Sequence, residues 1–99
     1  MGVVVVEALL QGVKDGMDIL TLSLGTADGW ADGSAAVVAD RIAKSGKIVT
    51  IAAGNDGPSG SWYTYEPASA ENVISVGSVD KSVSFLFLAY LLFNFLEAL

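Results

Sequence analysis

Asn55 is the side chain best placed to do chemistry in this sequence. It follows an almost wholly apolar run, Lys47-Ile48-Val49-Thr50-Ile51-Ala52-Ala53, and a glycine, Gly54. A second apolar run, Asp18-Ile19-Leu20-Thr21-Leu22-Ser23-Leu24, also ends at a glycine, Gly25. If both runs are parallel strands, their carboxyl ends are where such sheets bind ligands. Glycine at each end lets a ligand backbone approach closely. An asparagine held there offers a fixed amide donor. A developing oxyanion needs such a donor, because it is stabilised without reorganisation. Taken alone, Asn55-Asp56-Gly57 is also ordinary turn chemistry.

Composition narrows the options. There is no histidine and no cysteine in the 99 residues. The commonest general base near neutral pH is therefore missing, as are thiol catalysis, disulfides and the usual zinc ligands. Eleven acids against five bases leave a net charge of −6 with no basic cluster. Nucleic acid and anionic membrane surfaces are not expected partners, since both need grouped Lys and Arg. The apolar share is 53% and the charged share 16%, richer in apolar residues than an average soluble domain.

Other motifs carry less. Thr21-Leu22-Ser23-Leu24-Gly25 lacks the first glycine of a nucleophile elbow, so Ser23 reads as a structural or backbone-pairing residue. Ser45-Gly46-Lys47 is a helix C-cap rather than a phosphate loop, because the earlier glycine is absent and Ile48 stands where Ser or Thr belongs. Asp28 and Asp32 are too few carboxylates to argue for calcium, and no metal site is expected. Trp62, Tyr63 and Tyr65 either line a substrate groove or cover a sheet edge.

The elements that must position these residues follow from periodicity. Val6, Leu9, Leu10 and Val13 recur at helical steps, predicting a helix over 3–13, although four successive valines would also suit a strand. Ser34 is the expected N-cap of a second helix ending near Gly46. Strands are expected at 18–24, 47–53 and 72–79, with loops over 26–33 and 54–71. A helix between two apolar strands implies a parallel α/β sheet with right-handed crossovers. From Val83 to Leu96 only Ser84 and Asn94 are polar, yet the run is shorter than the roughly 20 residues a spanning helix needs. Packing against the sheet, membrane association and aggregation are all open to this tail. Met1–Val6 has no signal-peptide pattern, and compartment is left unassigned.

Three ordered segments resemble one family. Asp15-Gly16-Met17-Asp18-Ile19-Leu20-Thr21-Leu22-Ser23-Leu24-Gly25 resembles the subtilase segment that leads into a central strand and the substrate-binding edge. Ile48–Gly57, with Ala53-Gly54-Asn55, resembles the family's next strand and its Ala-Gly-Asn motif. Val73–Asp80 resembles the strand after that. The resemblance covers about residues 3 to 81. It implies a partial subtilase catalytic domain over 1–81, followed by a tail over 82–99 that does not match the family.

The implied fold is α/β. It is a partial doubly wound parallel sheet of three strands with two main helices, half of a subtilisin-like fold. The implied function is that of a fragment of a subtilisin-like serine endopeptidase acting on peptide or protein substrates. By resemblance, Asn55 is the oxyanion-hole residue. Ser23, Leu24 and Gly25 pair with substrate, and Ala52, Ala53 and Gly54 form the other wall of the specificity pocket, whose floor lies in the loop around Trp62 to Pro67. The family's Asp and His motifs would precede this segment and its Gly-Thr-Ser motif would follow it. The chain alone is therefore expected to be inactive. No cofactor is expected, calcium sites of the family not being assignable here, and the family is most often secreted. An open sheet edge predicts self-association. The competing expectation is a non-catalytic α/β binding or interaction module, tethered to a membrane through the tail.

Overall fold

A helical stripe and three short apolar strands set up two layers. The computed structural model describes residues 2–79; the apolar tail at 82–99 lies outside them. Helix α1 spans Gly2–Lys14, so the valine run is helical. Val5 and Leu9 are buried and Val6 and Val13 half-buried, whereas Leu10 is 52% exposed. The inward stripe is thus shifted from the expected one. Val5 and Leu9, four residues apart, carry it, and Leu10 lies a further 100° round the helix.

Strands β1 (Ile19–Leu22), β3 (Ile48–Ala52) and β5 (Ile74–Val76) form a parallel sheet in the order β1–β3–β5. Leu20 pairs with Val49 and Leu22 with Ile51, while Thr50 pairs with Ile74 and Ala52 with Val76. Helix α2 (Ser34–Lys44) is the crossover from β1 to β3. The α/β architecture is the expected one.

Both helices cover the same face. Val5 and Leu9 of α1 meet Ala35, Ala39 and Ile42 of α2, over Val49 and Ile51 of β3. Small residues on α2 let the helix approach the sheet closely. Val49 and Ile51 are 2% and 1% exposed, and burying each such side chain stabilises by about 1.5–3 kcal/mol. Alternation along the strands sends Ile19, Ile48, Ile74 and Val76 to the opposite face, where all four are about half exposed. Among the described residues no helix is long and apolar enough to cross a membrane.

Two local expectations are corrected. The loops over 26–33 and 54–71 contain a second, antiparallel pair, β2 (Thr26–Ala27) with β4 (Tyr65–Glu66). Two-residue strands carry no readable period, so only their non-local partner reveals them. The N-cap of α2 is Gly33 rather than Ser34, and it offers no side-chain bond. An acceptor arrives instead from β4: Glu66 Oε1 accepts from the Ala36 amide at 3.3 Å. A carboxylate at a helix N-terminus is favoured by the exposed amides and the dipole.

Candidate functional site

The parallel register decides which strand ends are neighbours. Its last pair between β1 and β3 is Leu22 opposite Ile51, so Ser23 and Ala52 continue side by side. Both line a shallow depression of about 180 Å³ with Thr50 and Val76. Beyond them the chains diverge. Ala53 still donates to the Val76 carbonyl at 2.9 Å. Gly54 then takes φ +106°, a conformation closed to most L-residues, and turns the chain out of the sheet.

Asn55 follows that turn. It is exposed and lines a cleft of about 560 Å³ with Ala53, Gly54, Pro58, Ser61, Tyr63 and Ser78, among others. Leu24 and Gly25 do not line this cleft. They border a much smaller space of about 50 Å³ beside Val5, Ala35, Glu66 and Pro67. The seven residues singled out in the sequence are therefore distributed over three adjoining hollows.

One residue connects the two tips. A Cβ at Gly25 would lie 2.8 Å from the Tyr65 Cβ, and a Cβ at Gly54 would lie 2.6 Å from the Tyr65 Cγ. Both are closer than real Cβ contacts allow, so the two glycines admit the Tyr65 ring between them. The Tyr65 amide also donates to the Ala53 carbonyl at 2.9 Å. Hydrogen bonding to the Asp56 carboxylate, with burial and the carboxylate charge adding to it, holds the Tyr65 phenol above its ordinary pKa.

The aromatic group thus divides by role. Tyr63 lines the cleft. Tyr65 fills the gap between the tips. Trp62 stacks on Trp30 with ring centroids 5.6 Å apart and planes 13° from parallel, which joins the 26–33 loop to the 54–71 loop outside the cleft. Beneath the stack, Gly29 donates to the Thr64 carbonyl at 3.0 Å, and the Ser69 hydroxyl donates to the Trp30 carbonyl. Asp28, weighed as a calcium ligand, accepts from the Trp30 amide at 2.9 Å, a local turn bond. Sequence reasoning missed Tyr65 as the link and Glu66 as the helix acceptor. The glycines at 25 and 54 were the available signal, since each marks a close approach whose partner lies far along the chain.

Residues 3–86 match the subtilase family of peptidases. The chain belongs to that family. It is 43% identical over 72 residues to subtilisin-like protease 2 of Pseudogymnoascus destructans, covering 73% of this chain and 17% of that protein. To subtilisin DY of Bacillus licheniformis it is 38% identical over 79 residues, covering 79% of this chain and 28% of that one. To the thermophilic serine proteinase of Bacillus sp. (strain AK1) it is 35% identical over 80 residues, with 78% and 18% covered. The chain therefore spans less than a third of the length of these subtilase relatives.

Proposed function

We propose that this chain is the substrate-binding and oxyanion-hole segment of a subtilisin-like serine endopeptidase. Asn55 is the side-chain donor to the tetrahedral oxyanion. Ser23, Leu24 and Gly25 are the backbone edge for the substrate, and Ala52, Ala53 and Gly54 the facing wall. The observation that carries this reading is the adjacency of two glycine-ended strand tips with an asparagine in the cleft just beyond one of them. An amide donor preset there favours the charged intermediate over the planar carbonyl, which is how it lowers a barrier.

Acyl transfer also needs a nucleophile and a base. These 99 residues hold no histidine, so a histidine-activated serine is not available within them. Alone they are proposed to be inactive, and in a complete protease the triad comes from other segments. Membership of the family favours this reading over a non-catalytic module. No cofactor is proposed.

Grafting residues 3–81 in place of the matching segment of subtilisin DY tests it. In the active chimera, Asn55→Leu lowers kcat by about 10²–10³ with KM nearly unchanged, the loss known for an oxyanion donor in subtilisin. An unchanged kcat would sink the assignment. The ungrafted chain neither cleaves peptides nor reacts with a fluorophosphonate probe. Self-association through the open edges of the sheet is also proposed. It predicts elution volumes that shift with concentration in size-exclusion chromatography, and a single monomeric volume at all concentrations contradicts it.

A further inference from the structure

We propose that Tyr65 is a positioning residue for Asn55: its ring wedges between the two strand tips and its backbone amide fixes the Ala53 carbonyl at the base of the turn that carries the Asn55 side chain. This rests on the reading of Asn55 as an oxyanion donor, and concerns what aims it. Asn55 sits after a glycine at φ +106°. Glycine has wide conformational freedom and no side chain to pack, so it cannot hold the next residue in place by itself. No residue from Asn55 to Tyr63 is buried, so burial does not hold that residue either.

Tyr65 constrains the residues that lead into Asn55. Its amide binds the Ala53 carbonyl at 2.9 Å. Its ring packs against Gly54 and, on the other side, against Gly25. Beside this geometry, the carboxylate of Asp56, the residue immediately after Asn55, raises the Tyr65 phenol above its ordinary pKa. Tyr65 is itself held, because it pairs with Ala27 in the β2–β4 ladder. The neighbouring Tyr63 lines the same cleft, but its amide bonds only within its own turn, to Gly60 at 3.2 Å.

The test uses the full chain labelled with ¹⁵N. In the wild type the amides of Gly54, Asn55 and Asp56 have order parameters near 0.85, as for rigid backbone. Tyr65→Ala removes the ring from between the glycines and lowers all three below about 0.6, whereas Tyr63→Ala, in the same loop, changes none. Should Tyr65→Ala fail to fold, Tyr65→Leu, which keeps apolar bulk without the planar ring, decides in its place by lowering the same three. Unchanged order parameters in Tyr65→Ala, or in Tyr65→Leu where the alanine variant does not fold, overturn the proposal. A chimera indifferent to Asn55→Leu would remove the oxyanion reading and leave these order parameters as they are, so the two failures are distinguishable.

Discussion

The helix-covered side of the sheet and the loops at its tips are held by different physics. Under the helices, Val5, Leu9, Ala39, Ile42, Val49 and Ile51 exclude water from one contiguous cluster. Hydrophobic burial is non-directional, and many partners share the load. At the tips no residue from Asn55 to Tyr63 is buried. Single contacts do the holding: a tyrosine between two glycines, one tryptophan stack, and a carboxylate on a helix end. A site open to an extended peptide, as proposed, cannot also be a sealed core. It borrows rigidity through a few specific contacts to the layer beneath.

This contrast can be broken by substitution. The largest effect belongs to the covered side. Ile51→Ala loses about 2–5 kcal/mol in urea unfolding, because the methyl groups removed leave a cavity that packed neighbours cannot fill. A loss below about 1 kcal/mol would mean that the helical layer is not the main source of stability. Glu66→Ala, at the joint between the regions, loses about 1 kcal/mol and leaves the Ala36 amide without its acceptor. The loss should shrink in high salt, since part of it is charge against the helix dipole.

The smallest effect is a pH dependence. The Asp40 carboxylate is held below the usual carboxylate range by Lys44, first through their 2.8 Å pair, and then by Asn72, whose side-chain amide donates at 2.7 Å. A depressed carboxylate contributes stability that is full above the unfolded value of about 4 and is lost as pH falls through the folded one. The difference in urea midpoint between wild type and Asp40→Asn should therefore be constant from pH 5 to 7 and should close as the solution is acidified further. A difference that widened on acidification would contradict the sign. Since Asp40 ties α2 to the segment before β5, this also measures how far the covered layer steadies the chain beyond the long loop.

The covered side was largely legible in the linear pattern. Apolar runs of strand length, helical spacing, and glycine stops predicted both main helices and all three parallel strands within a few residues. Even there Leu10 was assigned inward and Val5 was not, because a helix face rich in valine and leucine does not declare which half of the stripe meets the sheet. The candidate site was legible as a set of residues, Ser23 to Gly25 and Ala52 to Asn55, on the strength of glycines at strand ends and the family resemblance. Its internal joints were not. Tyr65 belonged to an aromatic cluster with two possible roles, and nothing local distinguishes it from Tyr63.

Residue order alone dictated the two helices, the three parallel strands and the chemical inventory: an amide donor, two glycine-ended strands, and no imidazole. Those properties depend on near neighbours and composition, which any stretch of chain carries with it. The close packing of Gly25, Gly54 and Tyr65, the β2–β4 pair, and the Glu66 carboxylate on α2 came only with the fold. Each joins residues at least eleven positions apart, and such contacts exist only once the sheet and its helices have brought the loops into reach.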